Sequence, residues 1–208
     1  GVRFQVSGEG WPQYRGNAKR TALAGAPLAA ELKPAWTQKL GGELTQATIA
    51  DGRAYIVRKD TYELICLNLA DGKTAWTRPF PAALNGPPTA IAAKPEARNL
   101  KPETFLFAGC ANGSVYCLRA GDGVLVWRRL LAPLERLTLD EDRLSSLWPV
   151  NTSVLFHNEL IYTLAGRNSY LDGGIHLFAL DPATGAVRHT AILAGPWPDM
   201  ETLRTGVV

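Results

Sequence analysis

One pattern recurs three times along the chain: a short apolar strand, a turn closed by glycine, and an aromatic ring four residues later. The first copy runs from Leu64 through Asp71-Gly72 to Trp76, and the second from Val115 through Asp122-Gly123 to Trp127. The third runs from Leu177 through Thr184-Gly185 and puts His189 at the aromatic position. Successive glycines are 51 and 62 residues apart, so the later units carry insertions. Self-similarity at this period restricts the fold to an array in which each unit buries its apolar face on the next.

The chemistry of the repeat is structural. Asp-Gly supplies the positive φ of a tight turn between two strands, and glycine does so without a Cβ clash. A tryptophan at a fixed place on the following strand can bury about 200 Å² against the neighbouring unit. Further strands precede each turn, at 44–49 and 54–57, at 105–107, and at 152–156 and 160–162. Each unit thus reads as four antiparallel strands, A to D, which is the form of a propeller blade. Twenty glycines and fourteen prolines among alternating apolar stretches agree with many short strands. The expected fold class is all-β, a partial β-propeller of about three blades at 41–80, 81–131 and 148–193. An orphan outer strand at 32–40 carries Trp36 ahead of them, and 1–9 reads as a linker or tail. Trp36, Gly72, Trp76, Gly123, Trp127 and Gly185 are the structural repeat positions.

Several function classes lose support. The net charge of +3 comes from 22 basic and 19 acidic residues scattered along the chain, which is no footprint for nucleic acid. The apolar runs are strand-sized, and none approaches the roughly 20 residues of a membrane span. Cys66, Cys110 and Cys117 are an odd number without a disulfide framework, and read as small buried side chains. His157, His176 and His189 have no zinc-site spacing. Asp140-Glu141-Asp142 lacks the pattern of a calcium loop and reads as solvated. Asp172-Gly173-Gly174 lacks the Lys-Ser/Thr of a phosphate loop, and G-x-S-x-G is absent.

The segment Trp11-Pro12-Gln13-Tyr14-Arg15-Gly16-Asn17 resembles the opening of pyrroloquinoline-quinone (PQQ)-like β-propeller repeat proteins. The stretches 70–76, 121–127 and 181–185 resemble their blade repeats, and 148–155 with 165–175 resembles propeller modules of planctomycete-type bacterial proteins. That superfamily includes quinoprotein alcohol dehydrogenases and non-catalytic scaffolds. The resemblance implies a bacterial periplasmic or cell-surface setting. For a dehydrogenase it implies adjacent cysteines over the quinone and an acidic base beside a calcium, and here no two cysteines are adjacent. The expectation is a non-catalytic binding or scaffold module without cofactor, whose partners are further blades in cis or in trans and an unidentified ligand. The alternative is a fragment of a PQQ-dependent dehydrogenase, with PQQ and calcium as its cofactors.

Blade topology sorts the insertions. The A–B insertion at 93–101 belongs to one face, while the crossing at 128–147 and the B–C loop at 166–173 belong to the other. That second face gathers Arg136, Trp148, Arg167, Asn168, Ser169, Tyr170 and Asp172 as a candidate site. Two readings stay open: an Arg167–Asp172 pair that braces the loop, or a polar and aromatic binding patch. With an orphan strand and about three blades, the chain is expected not to close a ring alone, and its open edges to favour association.

Overall fold

A computed structural model of the chain describes residues 2–6, 10–23, 30–95, 102–140 and 143–195. The described residues contain strands and turns and no helix. Blade 1 is β3 (Thr48–Ala50), β4 (Arg53–Arg58), β5 (Glu63–Asn68) and β6 (Thr74–Pro79). Blade 2 is β7 (Thr89–Pro95), β8 (Glu103–Cys110), β9 (Ser114–Arg119) and β10 (Leu125–Leu130). Blade 3 is β13 (Leu155–His157), β14 (Leu160–Ala165), β15 (Ile175–Leu180) and β16 (Val187–Leu193). All pairings are antiparallel between chain neighbours, so the fold is a partial β-propeller.

Two further strands join the inner edges. β1 (Val2–Val6) pairs with β7 of blade 2, and β2 (Gly10–Trp11) pairs with β3 of blade 1. This corrects the reading of 1–9 as a tail. An inner strand presents a row of unpaired N–H and C=O groups, and the N-terminal segment supplies them with partners. The expected strand at 32–40 is also corrected, because those residues join no ladder. Residues 96–101 of the A–B insertion lie outside the described residues.

The three glycine turns are built alike. Gly72, Gly123 and Gly185 have φ of 71°, 71° and 67°, in the left-handed region. Each glycine N–H donates to the carbonyl four residues back, at 2.8, 2.9 and 2.8 Å. A register shift between the third and fourth strands follows in every blade. It sets Trp76 opposite Cys66, Trp127 opposite Cys117 and His189 opposite Ala179.

Cross-strand partners share a sheet face, so each blade carries a row across its four strands. In blade 1 the row is Thr48, Tyr55, Cys66 and Trp76; in blade 2 it is Thr89, Phe107, Cys117 and Trp127. These rows face the next blade. The Trp76 ring lies on Gly123 and the Trp127 ring on Gly185, so close that a Cβ at either glycine would meet ring carbon at 2.8 Å. Each indole N–H donates to the carbonyl three residues before its glycine: Trp76 to Ala120 at 3.1 Å and Trp127 to Pro182 at 3.0 Å. Two residues on, Arg78 and Arg129 donate to the carbonyls of Gly123 and Gly185. At the inner end Thr48 Oγ1 donates to the Pro88 carbonyl and Thr89 Oγ1 to that of Val154, both at 2.5 Å. Trp36, though in no strand, sits on Gly72 and donates to the Leu69 carbonyl at 2.7 Å, the same arrangement one step earlier.

The cores therefore lie between sheets. Tyr55, Leu64, Leu84, Leu106 and Leu118 fill the space between blades 1 and 2, and Ile91, Phe107, Val150, Ile161 and Leu180 that between blades 2 and 3. Cys66 and Cys117 are the small central members of their rows, and Cys110 is buried in the first core. Burial pushes all three thiols up, Cys110 to about 11, so each stays protonated at neutral pH.

Candidate functional site

The crossing from blade 2 to blade 3 contains an element that its polar sequence hides. β11 (Leu137–Asp140) and β12 (Arg143–Ser146) form a separate two-stranded hairpin. Its register pairs Leu139 with Leu144, and Leu137, Leu139 and Leu144 are 61–68% exposed. The opposite side of the hairpin holds the B–C loop of blade 3. Arg167 forms an ion pair with Asp140, and its Nε and Nη2 donate to the Ser146 carbonyl at 3.3 and 3.1 Å. Trp148 Nε1 donates to the Asp172 carbonyl at 2.6 Å.

The two insertions are thus in contact on one face. The brace differs from the one expected: Arg167 pairs with Asp140 of the acidic run, and Asp172 contributes its backbone carbonyl from a left-handed φ of 54°. Asp140 is solvated as expected, its side chain 44% exposed, but it ends β11 and pairs with Arg167 where a loop was expected; Glu141 and Asp142 lie outside the described residues. Trp148 and Ser169 are buried and hold the loop from within. Ser169 accepts from Gly195 N at 2.6 Å through its carbonyl, and Asn168 Oδ1 caps the Tyr170 N–H at 2.7 Å. The Tyr170 ring lies against Gly195, where a Cβ would meet it at 2.4 Å. Arg136, Asn168 and Asp172 are exposed.

The same face opens on the propeller axis, and here the N-terminal motif finds its place. Trp11 pairs with Ile49 on β3, the Pro12 carbonyl accepts from Ala90 N on β7 at 2.8 Å, and Gln13 Oε1 accepts from Phe156 N on β13 at 2.9 Å. Ile49, Ala90 and Phe156 each follow the first member of their blade's row, so three consecutive residues engage one equivalent position in three blades. Beyond them the chain turns back, with Gly16 N donating to the Gln13 carbonyl and Ala22 N to that of Arg15. A cavity of about 330 Å³ opens there. It is walled by the segments entering the three innermost strands, 44–46, 85–87 and 151–153, together with Tyr14, Arg20 and Lys59. A second cavity of about 260 Å³ continues it past Tyr14 to Arg15 and Trp11. None of these residues was singled out as a site from sequence, because they converge only when the blades assemble.

Metal-assisted quinone chemistry needs carboxylate ligands near the axis. The linings of both cavities contain none, and among the described residues no three His, Cys, Asp or Glu side chains come together to hold a metal ion. The residues present do not fit a calcium-bound quinone. Among the described residues no helix is long and apolar enough to cross a membrane.

The arrangement of blades has counterparts among solved structures. The quinohemoprotein alcohol dehydrogenase from Comamonas testosteroni is similar over 88% of this chain and 27% of its own, with 14% identity and a TM-score of 0.62. A europium-containing methanol dehydrogenase is similar over 90% of this chain and 32% of its own, with 14% identity and a TM-score of 0.63. BamB from Moraxella catarrhalis, 17% identical, covers 71% of this chain and 40% of its own at a TM-score of 0.49. The chain thus spans well under half the length of each. No curated protein matches it. The family model described as outer membrane protein assembly factor BamB matches residues 28–195, which takes in all three blades and Trp36. With the glycine turns, the rows and this match together, the chain belongs to the family of PQQ-like β-propellers that bears the BamB description.

Proposed function

We propose that this chain is a non-catalytic binding and scaffold module, part of a larger bacterial propeller protein of the periplasm or cell surface. The observation that carries the reading is the division of chemistry within the molecule. The interactions that hold blade to blade are complete at both internal junctions, while the axial linings hold amides, hydroxyls and guanidinium groups in place of the acids that quinone oxidation requires. The family description, an assembly factor for outer-membrane proteins, supports a partner-binding role and an envelope setting.

The partner surface in this reading is the second face around the braced loops. Trp148, Ser169 and Arg167 stiffen it, and Arg136, Asn168, Tyr170 and Asp172 contribute its polar contacts beside the exposed leucines of the hairpin. Recognition surfaces combine such rigid anchors with a polar rim. The open row of blade 3 takes a further blade, in cis or in trans. Addition of PQQ with calcium, followed by absorbance and dye-coupled alcohol oxidation, tests the reading. No stoichiometric quinone uptake is expected, and uptake with turnover would replace the scaffold by the dehydrogenase alternative.

A further inference from the structure

We infer that the axial mouth is a binding site for a small oxyanion, a carboxylate, sulfate or phosphate group, held without a metal. This goes beyond the scaffold reading, which stands whether or not the mouth is filled. The guanidinium groups of Arg15 and Arg20 flank one phenol ring, 5.6 and 5.4 Å from the Tyr14 centroid. Among the described residues neither forms an ion pair with a carboxylate. Arg20 has five N–H donors, and its one described side-chain hydrogen bond is a long one, from Nη2 to Ser153 Oγ at 3.4 Å. Two like charges near one ring repel each other, and an anion bound beside either one relieves that repulsion.

The backbone points the same way. Arg15 and Arg20 both adopt left-handed conformations, with φ of 58° and 53°. Such conformations cost a non-glycine residue about 1 kcal/mol or more and concentrate where a ligand is held. The adjoining wall carries further polar groups: Asn85 Nδ2 donates to Asn151 Oδ1 at 2.9 Å, and both amides line the cavity with Thr152 and Ser153. Lys59 is already neutralised by Glu43, whose backbone N–H donates to Asp60 at 3.3 Å, so these acids are engaged at the rim. Guanidinium groups, amides and hydroxyls without a carboxylate among them are the donor set of an oxyanion.

The test is calorimetric titration of the full chain with sodium sulfate, sodium phosphate and sodium succinate in turn, at ionic strength held constant with sodium chloride and with EDTA present. Saturable binding of at least one probe with a millimolar or lower Kd is expected, and its preference separates an inorganic anion from the carboxylate of a larger ligand. Arg20→Gln should weaken it at least tenfold with an unchanged Tm. Should that variant unfold, Asn151→Asp, which sets a negative charge in the adjoining wall, should weaken binding by a similar factor. Absence of saturable binding by all three probes, binding that needs added calcium, or unchanged affinity in a folded variant would each overturn the proposal. The PQQ experiment reads a different property, so failure of one proposal leaves the other measurable.

Discussion

The two internal junctions and the leading face of blade 3 are the same surface written with different residues. At the junctions the rows read Thr48, Tyr55, Cys66, Trp76 and Thr89, Phe107, Cys117, Trp127. In blade 3 the row reads Leu155, Tyr162, Ala179, His189. The threonine that reaches the next blade's carbonyl becomes leucine, the stapling tryptophan becomes histidine, and Ala191 stands where Arg78 and Arg129 stand. His189 and Ala191 are exposed, and Leu177 beside them is 39% exposed. Blade folding and blade docking are thus separable: the glycine turn and the register shift are intact in blade 3, whereas the gripping threonine, tryptophan and arginine are all changed and only the tyrosine, Tyr162 for Tyr55, is kept.

The largest effect expected from breaking this comparison is loss of a staple. Trp76→Ala should destabilise the chain by about 3 kcal/mol, the low end for a large aromatic because the ring is half-buried. His189→Ala should stay within about 0.5 kcal/mol. Urea denaturation of the two variants gives the ratio directly. Equal losses would show that the blade 3 row is gripped as firmly as the others.

Next come the glycines. Gly123→Ala has to adopt a positive φ and push the Trp76 ring away from 2.8 Å, for a loss of about 2 kcal/mol. Gly121→Ala, two residues earlier, meets no heavy atom within 4 Å, and at a non-positive φ it should be neutral or slightly stabilising. Thermal melts of the pair separate ring contact from loss of turn flexibility.

A smaller effect belongs to the inner hydroxyls. Thr48→Val and Thr89→Val each leave a buried carbonyl without its donor, for about 1 kcal/mol apiece. The two losses should add, since the junctions are distinct. Leu155→Thr, the reverse change in blade 3, should bring no gain in the chain alone.

Smallest is the pH term, which all three blades share. The Lys73 backbone N–H holds the Asp71 carboxyl below its usual range, and hydrogen bonds from Arg119 and Arg188 do the same for Asp122 and Asp181. A carboxylate with a lower pKa folded than unfolded adds stability that is complete above the unfolded value. That stability is lost as pH falls through the folded one. The Tm should therefore be flat from pH 7 to about 5 and fall below about pH 4. Asp181→Asn should shallow that fall, which would place blade 3's difference in its row and leave its turn equivalent to the others.

What the sequence made legible follows from distance along the chain. Glycine to tryptophan is a four-residue relation, so turn, strand and staple could be read directly, and Trp36 was placed even though its strand is missing. The partner of Arg167 could not be read that way: Asp172 is five residues off and Asp140 is 27, and only the hairpin brings Asp140 close. The hairpin itself was hidden because Leu137, Leu139 and Leu144 point outward while its buried residues are Ser145 and Ser146, so no apolar side announces a strand. β1 pairs with residues some ninety positions away, and nothing local marks its register.

The three-residue span from Trp11 to Gln13 also fixes an order of events. Gln13 meets Phe156 across 143 residues of chain, so that contact waits for blade 3, the last blade in chain order. Closing so long a loop costs entropy before any contact repays it, and such contacts form late and slowly. Seating the N-terminal segment is then expected late in folding and its release early in unfolding, a latch whose opening would free the inner edges of blades 1 and 2 while the sheets themselves remain intact.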